Sequence, residues 1–159
     1  MNRIQTLQRL QHQYRQETGH DGPLTTLEVA QWAVGRSYLA LPKPRDPMAR
    51  LSDEIARAWR QEIRRDESTN RPYRANHAVS ETKDGKQTTF WGDIDKVSRP
   101  FMHKSLVRRR EQIVGDCTLL TFDADHFNSV HIDEAPIQIP LDFSEDVAER
   151  KFATEDDDG

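Results

Sequence analysis

Acidic and imidazole side chains cluster in the run Phe-Asp-Ala-Asp-His-Phe at residues 122–127. Two carboxylates at a spacing of two, Asp123 and Asp125, could share a divalent cation if they stood at the end of a strand. His126 and His131 could add nitrogen ligands, and the chemistry to expect would then be metal-dependent. The alternative is structural, because aspartates at such positions also cap helices and turns by accepting hydrogen bonds from nearby backbone amides.

The same run resembles the metal-binding stretch of diguanylate cyclases, which is Asp-x-Asp-His-Phe followed by Lys. In this chain Asn128 takes the place of that Lys, and the Gly-Gly-Asp/Glu-Glu-Phe loop that defines the family is absent. Walker loops, nucleophile elbows and Gly-x-Gly-x-x-Gly turns are also absent from the sequence. The prediction is a protein that is not an enzyme, with no catalytic residue, no metal and no cofactor.

The composition indicates how large the hydrophobic core can be and in which cellular compartment the protein is expected. With 159 residues, of which 35% are hydrophobic and 31% charged, the chain is expected to form one small domain with a thin core and appendages. Cys117 is the only cysteine, so no disulfide can form within the chain, and we interpret it as a small buried apolar residue. The first residues lack an apolar leader, and no stretch approaches the ~20 apolar residues that cross a bilayer. These features predict a cytoplasmic protein without membrane contact.

The net charge of −4 hides a segregation of charge along the chain. Residues 1–110 carry 21 Lys and Arg against 13 Asp and Glu, a balance of +8, whereas residues 111–159 carry 2 against 14, a balance of −12. Such asymmetry is typical of a protein with a basic contact face and an acidic tail. A solvated surface with a solubilising tail is the alternative interpretation.

Basic side chains concentrate on two predicted helices. The candidate nucleic-acid-binding residues are Arg57, Arg60, Arg64, Lys104, Arg108 and Arg109. Together with a predicted hairpin, these helices could form a winged-helix-like arrangement that approaches phosphates, to which the guanidinium fork is suited. A small nucleic-acid-binding regulator, whose acidic tail competes with DNA for the basic face, is therefore one hypothesis. The alternative is that carboxylates such as Glu62 and Glu111 pair with these charges on solvated helix faces.

The segment from Gln138 to Phe143, Gln-Ile-Pro-Leu-Asp-Phe, resembles the Gln-x-x-Leu-x-Phe peptide by which bacterial replication and repair proteins bind the DNA sliding clamp. The resemblance implies that Gln138 is a polar anchor at the groove edge, and that Leu141 and Phe143 fill an apolar pocket. Pro140 would favour the extended backbone that this recognition needs. Docking on the clamp is the first function hypothesis. The alternative is an edge strand that packs Ile137, Ile139 and Leu141 against the domain.

Hydrophobic periodicity and turn residues predict an α+β fold with N-terminal helices, a β-hairpin, a long basic helix and an acidic, partly disordered tail. The predicted helices cover residues 3–16, 25–34, 46–63 and 98–114, and disorder is predicted for residues 154–159. Asp84-Gly85 lies between two strand-like runs, residues 73–81 and 86–91, which is the strongest local hairpin signal. Residues 117–122 fit either a strand or a continuing helix.

These elements suggest a small α+β domain over residues 1–132 and an acidic tail with the candidate peptide over residues 133–159. The runs Trp91 to Asp95 and Arg109 to Asp116 also give the chain a resemblance to small accessory proteins of prophages and mobile elements, which implies no activity. The overall prediction is a protein that binds other macromolecules. A protein partner is expected first, and nucleic acid is the second candidate partner.

Overall fold

The structure is a computed structural model that describes residues 2–156 and the side chains of residues 2–153. The described chain is α+β, as predicted, with five helices and two small antiparallel sheets. The helices are α1 (Arg3–Thr18), α2 (Thr26–Gly35), α3 (Pro47–Gln61), α4 (Arg99–Val130) and α5 (Ser144–Asp156). The strands are β1 (Ile63–Arg65), β2 (Pro72–Arg74), β3 (Asn76–Lys83) and β4 (Lys86–Asp93). None of the described helices is long and apolar enough to cross a membrane.

The chain divides into two compact units, residues 1–49 and residues 50–159. The boundary that the sequence suggested, between residues 132 and 133, does not coincide with this division and stays a prediction. All of the candidate residues that the sequence singled out lie in the second unit. The two units are therefore described separately.

The first unit is a pair of helices, α1 and α2, with complete N-terminal capping boxes. Thr25 caps α2 as predicted, because its hydroxyl accepts from the Glu28 amide while the Glu28 carboxylate accepts from the Thr25 amide. The Thr25 hydroxyl also donates to the Glu28 carboxylate at 2.7 Å, and this hydrogen bond, together with the one from the Thr25 amide, lowers the pKa of Glu28. Leu10 and Ala33 are the buried hydrophobic residues described in this unit.

The helix predicted from Asp46 ends earlier than its apolar stripe suggested. The Asp46 carboxylate accepts from the Ala49 amide at 3.2 Å and Pro47 is the first residue of α3, which confirms the predicted start. Its last helical residue is Gln61, and Ile63 lies instead in β1, where it is paired with Arg74 of β2. The spacing of Ile63 fits the apolar stripe of the predicted helix. The structure nevertheless places this residue in a short strand.

The predicted hairpin consists of β3 and β4 in antiparallel register from Asn76↔Asp93 to Lys83↔Lys86. Asp84 and Gly85 form the two-residue turn with φ values of 53° and 74°. Positive φ at both positions is the signature of a type I′ turn, which Asp-Gly adopts at low cost. The run predicted to begin at residue 73 is broken at Ala75, so that β2 pairs with β1 and β3 pairs with β4.

Helix α4 is twice as long as predicted. Ser98 caps it as expected, with its hydroxyl accepting from the Phe101 amide at 3.4 Å. The predicted end at Gly115 is wrong, because the helix continues to Val130 through residues 117–122. A glycine inside a helix costs only about 1 kcal/mol relative to alanine, so a single one does not end a helix of 32 residues.

A second difference lies near the C-terminus. Residues 132–143 contain no helix or strand, as predicted, but residues 144–156 form α5. Its apolar residues, Val147 and Phe152, are too few to produce a periodic signal in the sequence. Of the residues predicted to be disordered, 154–156 belong to the last turn of α5, and residues 157–159 lie outside the described part of the chain.

Candidate functional site

Helix α4 lies along the outer edge of the hairpin and closes one side of a concave site. The Ser105 hydroxyl donates to the Ala78 carbonyl oxygen at 3.1 Å, and a guanidinium nitrogen of Arg108 donates to the Ser80 carbonyl oxygen at 2.8 Å. Both carbonyl groups belong to β3 and point away from β4. The helix therefore satisfies acceptors of an edge strand that would otherwise face solvent.

A cavity of about 540 Å³ opens where α3, the hairpin and α4 meet. Four arginines line it, namely Arg60 from α3, Arg74 from β2, and Arg108 and Arg109 from α4. The wall also includes Asn76, His77, Ser80, Thr89, Trp91, Ser105, Gln112 and Asp116. We call this site the arginine cavity. Its volume lies within the ~300–1,000 Å³ of typical ligand sites, and Asp116 is the one carboxylate in its lining.

Four arginines and one carboxylate, Asp116, line the arginine cavity, so positive charge is in excess there. Within the described residues, no carboxylate forms an ion pair with Arg60, Arg74, Arg108 or Arg109. Partial burial lowers the pKa of Arg109, and the neighbouring charge of Arg74 lowers it further. Positive charges held near one another repel, and a bound anion would relieve that repulsion.

An aromatic side chain stands among these arginines. The guanidinium carbon of Arg60 lies 5.2 Å from the centre of the Trp91 ring, within the range of cation–π attraction. Trp59 meets the same ring edge-to-face with 5.6 Å between ring centres. On β3, His77 is buried, and its Nε2 donates to the Arg74 carbonyl oxygen at 3.0 Å. The tryptophan and Arg74 are thus held by contacts with groups on α3 and β3.

The six predicted nucleic-acid-binding residues do not all come together. Arg60, Arg108 and Arg109 line the arginine cavity, whereas Arg57, Arg64 and Lys104 do not. Arg57 is exposed on α3, and the Lys104 amine lies 3.6 Å from the Glu81 carboxylate. For this last residue the structure agrees with the alternative interpretation, in which charged helix faces pair with nearby acids.

Arg64 joins β1 to the end of β4 and is occupied by carboxylates. Its guanidinium donates to both oxygens of Asp93 at 2.9 and 3.0 Å and to Asp95 at 3.0 Å. The bidentate contact raises the pKa of Arg64 and, with the Asp95 amide, lowers the pKa of Asp93 to about 2. Arg64 therefore holds two strands together and has little capacity left for phosphate.

The ion pair between Arg64 and Asp93 predicts that the fold loses stability as the pH is lowered. The pKa of Asp93 is lower in the folded chain than its ordinary value of 3.8, so its contribution is present above pH 4 and disappears as the pH falls towards 2. We expect the urea midpoint of the Asp93→Asn variant to fall less between pH 5 and 2.5 than that of the parent chain. Identical pH dependences in the two proteins would show that the Asp93 contact contributes nothing to stability.

The candidate clamp-binding segment is held against the second half of α4. The Asn128 side chain accepts from the Ile137 amide and donates to the Ile137 carbonyl oxygen, both at 2.9 Å. Leu141 and Phe143 form one wall of a groove of about 520 Å³ whose other wall is α4. Both remain partly exposed, at 44% and 41%, and Gln138 is exposed. We call this feature the α4 groove.

The acidic run at residues 122–127 is helical and does not lie at a strand end. Asp123 and Asp125 are two positions apart on α4 and therefore point to opposite sides of the helix. Among the described residues, no three His, Cys, Asp or Glu side chains come close enough to hold a metal ion. His131 stacks on Phe127 with 4.0 Å between ring centres, and its Nδ1 donates to the Phe127 carbonyl oxygen.

Sequence reasoning missed Arg74, His77 and Trp91 as site residues. Each was assigned to a strand-like run, but a strand has two faces, and the sequence does not say which face a distant helix will cover. The signal available in the sequence was that Arg74, His77 and Trp91 lie in predicted strands just before a basic helix. Comparison with known proteins adds no further constraint, because no family model, curated protein or solved structure matches this chain.

Proposed function

We propose that the protein binds nucleic acid, and that the arginine cavity is the contact site. The observation that carries this proposal is the convergence of four arginines, without an ion pair among the described residues, around an exposed part of Trp91. Guanidinium groups bind phosphate oxygens through short, charge-assisted hydrogen bonds. An indole adds a surface on which a base can stack.

The shape of the cavity favours a single strand over a duplex. A base can enter a concave site only when it is unstacked from its neighbours, which is the normal condition of single-stranded DNA and RNA. The side-chain amide of Gln112 in the wall could bond to the edge of an inserted base. Asp116 is the single acidic group of the lining, and it would repel phosphate from that corner of the site.

The test is a salt series with the full chain and a fluorescent single-stranded DNA of about twenty nucleotides. If three or four arginines contact phosphates, the slope of log affinity against log salt should be about −2 to −3, since each contact in a single strand contributes about −0.7. A duplex of the same length should bind more weakly. Absence of binding at low salt, or binding that salt does not weaken, would remove the proposal.

Docking on a sliding clamp is the second candidate function, and the α4 groove is the observation that favours it. Leu141 and Phe143 lie two residues apart in a segment without helix or strand, and both side chains line the same groove. A clamp pocket would have to take over the contacts that this pair makes with α4. The proposal therefore requires the segment to leave the helix on binding.

If the segment docks on a clamp, truncating Leu141 and Phe143 should remove most of the affinity for the clamp. We expect the Leu141→Ala/Phe143→Ala variant to bind a purified bacterial clamp at least 30-fold more weakly than the parent chain, because each apolar anchor contributes about 1–3 kcal/mol. The matched control is Ile139→Ala, which truncates an equally exposed side chain outside the pattern. Equal losses in both variants, measured by surface plasmon resonance with circular dichroism as the folding check, would contradict clamp docking.

A further inference from the structure

Three polar side chains form a row on the side of α4 that lines the arginine cavity. Arg108, Gln112 and Asp116 follow one another at intervals of four residues, and all three belong to the cavity wall. Residues four positions apart lie on the same face of a helix, one turn after the other. The first and last of the row are separated by about 12 Å along the helix axis, at 1.5 Å per residue. The row is therefore comparable in length with one nucleotide, measured from its phosphate to the far edge of its base.

The two ends of this row have opposite hydrogen-bonding chemistry. The guanidinium of Arg108 only donates, and although one nitrogen is bonded to Ser80, further N–H groups remain for a phosphate. The carboxylate of Asp116 only accepts when it is ionised. Within the part of the chain that the structure describes, this carboxylate accepts no hydrogen bond and forms no ion pair. Because it repels phosphate, the ligand group that it can bind is one that presents N–H donors.

Among the bases, guanine complements a carboxylate best. Its Watson–Crick edge presents two adjacent donors, the N1–H and the 2-amino group, which the two oxygens of one carboxylate can accept together. On adenine and cytosine an amino group stands beside an acceptor ring nitrogen, and on thymine and uracil one N–H stands between two carbonyl groups. In these bases an acceptor would face the Asp116 carboxylate without a proton between them, which is unfavourable. The Gln112 amide, one turn nearer to Arg108, can donate to the O6 oxygen of guanine.

We propose that the arginine cavity binds guanine in preference to the other bases, and that Asp116 determines this preference. The inference rests on the proposed binding of nucleic acid, to which it adds the identity of the base. The arginines hold the phosphates, the half-buried indole of Trp91 stacks on the purine, and Asp116 accepts from the base edge. This assignment gives a role to a carboxylate that otherwise only weakens the attraction of the cavity for phosphate.

The first test compares short DNA strands in which thymine alternates with guanine, hypoxanthine or cytosine. Hypoxanthine differs from guanine only by lacking the 2-amino group. We expect the full chain to bind the guanine strand about tenfold more tightly than the hypoxanthine strand, the effect of one charge-assisted hydrogen bond, and the cytosine strand no better than the hypoxanthine strand. Equal, salt-dependent binding of all three strands would overturn the preference for guanine and leave nucleic-acid binding in place. Absence of binding by every strand at low salt would overturn both.

The second test assigns the preference to one side chain. Asp116→Asn removes the charge at nearly constant size, so we expect the ratio of guanine to hypoxanthine affinity to fall from about ten to about one. The same variant should bind the cytosine strand at least as tightly as the parent chain, because a charge that repels phosphate is gone. These opposite changes distinguish recognition from a loss of fold. Asp125→Asn is the matched control, an exposed acid of α4 outside the cavity, and it should keep the parent ratio. An Asp116→Asn variant that also keeps this ratio would overturn the assignment of Asp116.

Discussion

Replacing Arg74 and Arg109 together by alanine should weaken the binding of single-stranded DNA about 100-fold, because each lost charge-assisted hydrogen bond to phosphate costs about 1.5 kcal/mol or more. Both guanidinium groups line the arginine cavity, and the charge of Arg74 adds to partial burial in lowering the pKa of Arg109. Their removal relieves a repulsion in the free protein, so we expect the fold to be retained. Fluorescence anisotropy at constant salt measures the loss.

The matched control for this variant removes two other positive charges. Arg57 and Arg99 are exposed and do not line the arginine cavity, and Arg57 was among the residues predicted from sequence. We expect the Arg57→Ala/Arg99→Ala variant to bind less than tenfold more weakly, through the general loss of positive field alone. Equal losses in the two double variants would mean that diffuse charge, and not the cavity, binds the nucleic acid.

The Gly92→Ala variant should lose about 1–3 kcal/mol of folding free energy, the usual range for overpacking a close contact. A methyl group at this position on β4 would overlap the Val97 side chain and lie 3.1 Å from the Phe101 ring. These residues lie before α4 and in its first turn, so the added methyl group must displace the Val97 side chain, and we expect the start of the helix to move with it. We expect nucleic-acid binding to fall with stability, because the helix carries two of the cavity arginines.

Gly115→Ala is the control for a glycine without such a contact. Nothing in the described structure lies within 4 Å of a methyl group at residue 115, and the position is inside α4. The substitution should stabilise the chain by about 0.5–1 kcal/mol, the usual gain of alanine over glycine in a helix. Urea denaturation measures both variants. A Gly92→Ala variant as stable as the parent chain would show that α4 does not lie against β4 in this way.

Local signals predicted the elements whose ends are determined by nearby residues. Asp84-Gly85 adopts positive φ at both positions, and the capping residues Thr25 and Ser98 start their helices where the sequence placed them. These features depend on side chains within four residues, and a single sequence contains all of that information. The same argument explains why the class of the fold could be predicted.

Features that depend on distant residues could not be predicted in the same way. Arg64 was expected to contact nucleic acid, but Asp93 binds it from 29 positions further along the chain. Arg74 joins the arginine cavity because β2 pairs with β1, a pairing between runs too short to recognise. Asn128 holds the chain at Ile137, just before the candidate peptide, through two hydrogen bonds that no local sequence pattern predicts. In each case tertiary contacts determine which side of an element is used.

The most direct test of the central proposal is to locate bound nucleic acid on the full chain. A single-stranded DNA with bromodeoxyuridine at several positions can be crosslinked by ultraviolet light and its adducts mapped by mass spectrometry. We predict adducts at Trp91, the half-buried indole that lines the arginine cavity, and their loss in the Arg74→Ala/Arg109→Ala variant. Adducts found only outside the cavity, for example at Trp32 in the first unit, would contradict the assignment of the arginine cavity as the binding site.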